Sequence, residues 1–281
     1  MNVNLNKVKK RASLNGDGRI STENSEPFFK GSLVEICILS YVPYSFSEKH
    51  ALKHELMPFF SETRLGKIGC WLLNPQDSSL PEKHISALEQ SAAAELAICA
   101  AMKNSGRPFA PSDYAYKESG QPTIQNGHIS ISHTEGYAAC AIAREPVGID
   151  VERGHTFSKA AAKRILSPQE ELMSDSTNAD ELLSRIWTVK ESFLKMTGEG
   201  IPGGMRTLEL IAAGDGSSDV WTIKRGTEPE AGRAVLLSIS GSGNSADFND
   251  AYLSVCTKKK AMMHINRFES VESVLEFLNE P

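Results

Sequence analysis

The chain has 281 residues, of which 40% are hydrophobic and 23% are charged, and it carries a formal net charge of −5 at pH 7. This composition is ordinary for a soluble globular protein, and the length suits one large domain or two of half that size. A negative balance excludes a global electrostatic attraction to nucleic acid. Since no apolar stretch approaches the roughly 18 residues that span a bilayer, and no apolar segment follows the basic residues near the start, we expect a cytoplasmic protein without a nucleic-acid or membrane partner.

Residues 1–29 are polar and basic, and we predict a flexible tail. Residues 15–20 imitate the middle of a calcium-binding loop. The first and twelfth ligand positions, however, hold Ser13 and Asn24 instead of an aspartate and a bidentate glutamate. A flexible turn is the better interpretation.

The spacing of apolar residues then predicts the strands and helices of a first half, residues 30–146. The β-branched segment at 32–42 predicts a buried strand, and helical spacing of apolar residues predicts a helix over 81–104. Residues 128–152 read as two or three strands joined by short turns.

A second half, residues 147–281, repeats this order of elements. Its strand at 147–152 precedes helices near 157–165, 168–174 and 178–197, then strands near 206–213, 218–224, 233–240 and 250–257. Residues 241–250 resemble a hairpin loop, and residues 270–278 have helical spacing. The order of strand, helices and strands, twice over, indicates an α+β fold of two similar halves, although no sequence repeat is visible.

Five cysteines are widely spaced and odd in number, and most lie in apolar segments: Cys37, Cys70, Cys99, Cys140 and Cys256. Reduced, buried thiols are expected, in preference to a disulfide framework or a metal site.

Asp150 and Glu152 stand two apart near the end of a predicted strand, so both carboxylates project from the same side. Two such oxygen ligands suit Mg²⁺, which also keeps waters and substrate phosphates. The alternative is a strand end whose two acids simply face water.

The helix after it carries a third carboxylate, Glu191, between two lysines. Helical spacing assigns one face to Trp187, Lys190, Glu191, Leu194 and Lys195. Glu191 could complete a metal site while the lysines meet phosphate oxygens. The alternative is a solvated face with a Glu191–Lys195 pair worth about 0.2–0.5 kcal/mol.

Two further positions have both structural and functional interpretations. Ser167 to Glu170 has the form of a capping box, which by itself is a sufficient reason for Glu170. His133 stands between Ser132 and Thr134 where a strand meets a turn, as a structural histidine or as a phosphate contact.

Five segments together carry a resemblance to a known family: GQP at 120–122, ISISHT at 129–134, VGIDVE at 147–152, ILSPQE at 165–170 and WTVKESFLKMTGEG at 187–200. In order and spacing they resemble the 4′-phosphopantetheinyl transferases, of the long single-chain type that activates surfactin synthetase. The motifs cover residues 105–200, and the combination of GIDxE with WxxKESxxK is highly specific.

The resemblance implies a pseudo-dimer of two α/β halves with the site in the cleft between them. It implies transfer of the phosphopantetheine arm of coenzyme A to a serine of an apo carrier protein, with release of 3′,5′-ADP. It places Mg²⁺ on Asp150, Glu152 and Glu191, and it makes Glu191 and Lys195 the catalytic pair. The residues that it implies at the coenzyme are Gln121, Ser132, His133, Lys190 and Lys195.

The chain departs from the family pattern at the nucleotide end. Gln121 replaces a frequent lysine, and the helix at 81–104 lacks the arginines that usually hold the 3′-phosphate. Candidates to replace them are Arg64, Lys67, Lys103, Arg107 and Lys117. Because these contacts are altered, a carrier-binding relative without turnover is an alternative, and an unrelated Mg²⁺-dependent sugar-nucleotide transferase is a third. A monomer is expected, and the carrier is not named by the sequence.

Overall fold

A computed structural model describes residues 33–42, 82–107, 114–118, 120–154, 156–171, 179–200, 204–212, 219–239 and 251–280. The expected tail at 1–29, the hairpin loop at 241–250 and the positions Cys70, Arg64 and Lys67 lie outside these residues.

The described strands are β1 (Leu33–Ser40), β2 (Tyr114–Tyr116), β3 (Pro122–Ile124), β4 (His128–Thr134), β5 (Tyr137–Ala143), β6 (Val147–Arg153), β7 (Leu208–Ala212), β8 (Val220–Arg225), β9 (Glu228–Ile239), β10 (Ala251–Thr257) and β11 (Met262–Phe268). The described helices are α1 (Glu82–Asn104), α2 (Lys159–Ile165), α3 (Pro168–Glu171), α4 (Ala179–Thr197) and α5 (Val271–Asn279), with a 3₁₀ turn at Met205–Thr207. None of these helices combines the length and the apolar character needed to cross a bilayer.

The first sheet has the strand order β11–β1–β5–β4. Successive side chains of a strand point to opposite faces of the sheet. Cys37 and Leu39 of β1 therefore pack beneath α1, while Ile36 and Ile38 face the opposite side. Helix α1 is rich in alanine where it is buried, from Ala92 to Ala101, and such small side chains let the helix lie close to the sheet.

The second sheet is antiparallel throughout, in the order β6–β10–β9–β8–β7. Helix α4 covers one of its faces through apolar residues such as Val189 and Phe193. The other face meets the first sheet in a shared core that contains Ile36, Ile149 and Val255. Two helices therefore enclose two facing sheets.

The edges β4 and β6 also meet directly. The backbone N–H of Ile149 in β6 donates to the Ser130 hydroxyl of β4 at 3.0 Å. This junction joins the two sheets at the strands that carry His133 and Asp150, and so it positions the candidate site.

The α+β class is confirmed, and so are the strand in 32–42, the helix in 81–104 and the helix in 270–278. Strand β11 was not predicted, and it pairs in parallel with β1, while α5 packs into the core under α1. Residues 262–279 thus lie with the first sheet, although the sequence assigns them to the second half. The division of the chain into two similar halves stays a prediction.

The four cysteines within the described residues are free thiols, and all are buried: Cys37, Cys99, Cys140 and Cys256. Burial raises the pKa of each thiol well above its usual range, which makes them unreactive. The expectation of reduced, buried thiols holds for these positions.

Candidate active site

The site begins with the close contact of α4 and β6 at Gly148. A Cβ atom built on Gly148 would lie 1.8 Å from the Ser192 carbonyl oxygen and 2.5 Å from the Met196 nitrogen. Only glycine allows this approach, because both neighbours are backbone atoms. As a result, Glu191 and Lys195 of α4 lie beside the carboxylates that project from β6.

Asp150 is the buried centre of the polar contacts, with 4% of its surface exposed. Its Oδ1 accepts hydrogen bonds from Lys195 Nζ at 2.7 Å and from the Ser132 hydroxyl at 2.8 Å. Lys195 Nζ also donates to Ser132 Oγ at 2.9 Å. One residue from β4, one from β6 and one from α4 thus form a closed network.

Glu191 is half-buried one helical turn before Lys195. Burial first, and then the negative charges of Asp150 and Glu152, raise the pKa of its carboxyl to about 7 against the opposing charge of Lys195. The carboxylates of β6 and α4 are therefore near enough to repel one another.

Two oxygens of this group are buried and have no hydrogen-bond partner within the described residues, namely Asp150 Oδ2 and Glu191 Oε1. A buried carboxylate oxygen without a partner is costly, and a hard cation is one ligand that would satisfy it. Over the same described residues, however, no three acidic, histidine or cysteine side chains are arranged to hold a metal ion. Lys195 instead neutralises Asp150. The donors fit Mg²⁺ by chemistry, and a bound ion would require Lys195 and the carboxylates to rearrange.

A cleft of about 300 Å³ opens beside the network. Ser132, His133 and Lys195 line one side of it, and its other walls come from α1 and from the hairpin of β2 and β3: Ser91, Ala94, Tyr116, Gly120 and Pro122. Lys195 has 30% of its side chain exposed, so its charge is accessible from the cleft. A ligand in the cleft would reach the Lys195 amino group, which is bonded to Asp150.

His133 lines this cleft, and Gln121 stands in the sequence between two residues that line it, Gly120 and Pro122. The exposed His133 ring places Nδ1 3.1 Å from the Gln90 side-chain oxygen of α1. Gln121 Oε1 accepts a hydrogen bond from Lys117 Nζ at 2.7 Å. A positive charge therefore stands next to Gln121 even though residue 121 is not a lysine.

The structure does not bring Lys190 to the cleft. Lys190 is fully buried, and its Nζ donates to Glu170 Oε2 at 2.6 Å and to the Ile165 carbonyl oxygen at 2.8 Å. The predicted single face of α4 is thus divided, because neighbouring residues of a helix point about 100° apart. Burial lowers the pKa of Lys190, and the charge of Glu170 opposes this shift.

Glu170 has a structural role, as its capping-box pattern predicts. Its Oε2 accepts from the Ser167 N–H at 2.8 Å, and its Oε1 accepts from the Leu210 N–H at 3.0 Å. With Lys190 it joins α3, α4 and β7. These contacts account for the burial of both charges.

Two of the candidates to hold the 3′-phosphate donate hydrogen bonds to backbone carbonyl oxygens. Lys103 Nζ donates to the carbonyl oxygens of Phe277 at 2.7 Å and Glu280 at 2.5 Å, at the end of α5. Arg107 donates to the carbonyl oxygens of Gln125 and Asn126. Among the described candidates, Lys117 is the one whose amino group bonds Gln121, a sequence neighbour of the cleft-lining residues Gly120 and Pro122.

Comparison with known proteins shows which family this region is similar to. Residues 146–253 match the model of the 4′-phosphopantetheinyl transferase superfamily. The chain is 34% identical to the 4′-phosphopantetheinyl transferase Sfp of Bacillus subtilis (strain 168) over 83 residues, which are 28% of this chain and 37% of the relative. It is 28% identical to the 4′-phosphopantetheinyl transferase psf-1 of Bacillus pumilus over 167 residues, which are 57% of this chain and 66% of the relative.

The chain thus spans less than two thirds of the length of either relative. A crystal structure of Thermotoga maritima holo-[acyl-carrier-protein] synthase matches 41% of this chain and 64% of that chain, with 22% identity and a TM-score of 0.30. The matched superfamily region contains Asp150, Glu152, Glu191 and Lys195. Residues 146–253 are therefore similar to the 4′-phosphopantetheinyl transferase superfamily, the family that the sequence motifs resemble.

Proposed function

We propose that this chain transfers the 4′-phosphopantetheine arm of coenzyme A to a serine hydroxyl of an apo carrier protein and releases 3′,5′-ADP. The observation that carries the proposal is the Asp150–Lys195 pair, with unpartnered carboxylate oxygens beside it, at the wall of a cleft in a chain similar to this superfamily. Phosphoryl transfer needs this combination of cationic and anionic groups, since positioning and charge stabilisation supply most of its catalysis.

Lys195 is proposed to neutralise the pyrophosphate of coenzyme A as the phosphate ester forms and the bond to 3′,5′-ADP breaks. Its amino group lines the cleft and is held by Asp150 and Ser132. A cation that is already oriented costs little reorganisation when charge develops on the leaving group.

Asp150, Glu152 and Glu191 are proposed to hold Mg²⁺. The unpartnered Asp150 Oδ2 and Glu191 Oε1 support this assignment, and so does the pKa of Glu191, which burial and then the neighbouring charge of Asp150 raise. When bound, the ion would neutralise charge on the pyrophosphate oxygens. Glu191 is also the proposed acceptor for the proton of the carrier serine, directly or through water.

His133 and Ser132 are proposed to contact a phosphate of the coenzyme. Both line the cleft, and the Ser132 hydroxyl already contacts Lys195. Gln121 is proposed to contribute together with Lys117, whose amino group it holds. This pair would place a cation near the position where the family often has a lysine.

The proposed partner is an apo carrier protein or carrier domain of fatty-acid, polyketide or non-ribosomal-peptide synthesis. A monomeric, cytoplasmic enzyme is proposed as well. The walls of the cleft come from α1, the β2–β3 hairpin, β4 and α4 of one chain, so a second copy is not needed to complete it.

The test incubates the protein with an apo carrier, coenzyme A and Mg²⁺, and then weighs the carrier by mass spectrometry, with EDTA as the metal control. We expect the carrier to gain one phosphopantetheine, and the gain to disappear with EDTA. Asp150→Asn should abolish the gain. Asp219→Asn is the matched control, because Asp219 also pairs with a cation of α4, Arg185 at 2.9 Å, but away from the site.

Equal turnover of Asp150→Asn and wild type would refute the assignment of the site. If the folded protein binds coenzyme A but modifies none of several carriers, the correct carrier is absent from the set tested. If it binds no coenzyme A either, the proposal fails in favour of a carrier-binding relative without turnover.

A further inference from the structure

The hairpin formed by β2 and β3 is a wall of the cleft, through Tyr116, Gly120 and Pro122. Each of its strands has three residues, and the two pair with one another in a separate two-stranded sheet. A hairpin of this size has little stability of its own. Its orientation must therefore come from contacts with the elements around it.

One such contact is a buried hydrogen bond to α1. The Tyr114 hydroxyl donates to the Glu95 carboxylate, and the two residues are 7% and 0% exposed. Glu95 lies in an otherwise apolar stretch of α1, where a hydrophobic side chain would pack without the cost of burying a charge. A carboxylate at this position, unlike a hydrophobic side chain, accepts the hydrogen bond that holds the Tyr114 side chain.

The hairpin also lies against the end of α4. A Cβ atom on Gly198 would stand 3.1 Å from the Gln121 side-chain oxygen, so this amide rests on the helix end. Lys117 bonds the same oxygen from within the hairpin. The hairpin thus contacts both α1 and α4, and its residues line the same cleft as Lys195.

We propose that the Tyr114–Glu95 hydrogen bond positions the β2–β3 hairpin and thereby sets the affinity of the cleft for coenzyme A. Tyr114 and Glu95 are positioning residues, remote from the reacting atoms. The inference rests on the proposed function for the identity of the ligand, while the anchoring of the hairpin is independent of it.

The test compares wild type with Tyr114→Phe, which keeps the ring in the core and removes the hydroxyl. Steady-state transfer gives KM and kcat, titration calorimetry gives coenzyme A binding, and hydrogen exchange reports on peptides covering residues 114–124. Loss of a buried hydrogen bond between Tyr114 and Glu95 should raise KM and Kd for coenzyme A about tenfold. We expect kcat to change by less than about twofold, because the Asp150–Lys195 network is untouched. Exchange should accelerate in residues 114–124 and not elsewhere.

Tyr137→Phe is the matched control, since Tyr137 is a buried tyrosine in the core between the sheets; its KM and its exchange in residues 114–124 should equal those of wild type. With Tyr114 intact, Glu95→Gln retains an acceptor oxygen for the Tyr114 hydroxyl and should keep most of the wild-type affinity.

Wild-type KM and wild-type exchange in Tyr114→Phe would overturn the proposal. Faster exchange throughout the chain would overturn it as well, since the bond would then serve stability in general. If wild type binds no coenzyme A, the proposed function fails, yet local acceleration of exchange in Tyr114→Phe would still support the anchoring and its absence would refute it.

Discussion

Replacing Gly148 by alanine tests the contact that builds the site. The new Cβ would lie 1.8 Å from the Ser192 carbonyl oxygen, and real Cβ contacts are not shorter than 3.0 Å. Helix α4 must therefore move away from β6 by more than about 1 Å, and a displacement of that size near the chemistry can lower turnover about 100-fold. Both obstructing atoms are backbone, so a side-chain rotation cannot relieve the clash.

The same substitution should lower stability by about 1–3 kcal/mol, the usual cost of overpacking a core. For a chain of this size that corresponds to a melting temperature roughly 2–12 °C lower. Thermal unfolding and the mass-spectrometric transfer assay measure the two effects. Gly154→Ala is the control, because a Cβ there meets just one atom, Tyr252 Cε2, at 3.9 Å. Wild-type turnover and stability in Gly148→Ala would refute the argument that the close approach of α4 aligns Glu191 and Lys195.

Three further predictions concern charge. Lys190→Met leaves the buried Glu170 carboxylate without its cation, so chemical denaturation should show a loss of about 3–5 kcal/mol; wild-type stability would contradict the structural role of the pair. Gln121→Lys should leave turnover unchanged or lower KM for coenzyme A, and a large rise in KM would show that residue 121 does not take the place of the family's lysine. The third concerns pH. The raised pKa of Glu191, about 7 against 4.5 in the unfolded chain, means that the folded protein binds the proton more tightly. The free energy of unfolding of the metal-free protein should therefore fall as pH rises from about 4.5 to 7 and level off above that range. In Glu191→Gln this free energy should depend less steeply on pH. An unchanged dependence would exclude Glu191 as its source.

Short-range sequence patterns were enough to predict the side of β6 from which the two carboxylates of the proposed metal site project. Asp150 and Glu152 share one side of β6 because side chains alternate along a strand, and the apolar residues of α4 identify the side that packs on the sheet. The capping box at Ser167–Glu170 was readable for the same reason, since its contacts span three residues.

The sequence failed where the deciding partner is distant along the chain. Lys190 was predicted at the coenzyme because the burial of its amino group depends on Glu170 and Ile165, which belong to other elements. Strand β11 was missed because its segment has no clear alternation, and its pairing joins residues as far apart as Glu35 and His264. Tyr114 and Glu95 carry no motif. A buried acid within an alanine-rich helix was the available signal.

The parallel pairing of β11 with β1 has a consequence for biosynthesis. Strand β1 acquires this neighbour only after translation has passed residue 268, more than 200 residues after β1 itself was made. Contacts of such high sequence separation slow folding and prolong the exposure of unpaired strand edges. While the ribosome is still elongating, one edge of the first sheet is open to association with other nascent chains, until β11 covers it and Lys103 binds the carbonyl oxygens that end α5.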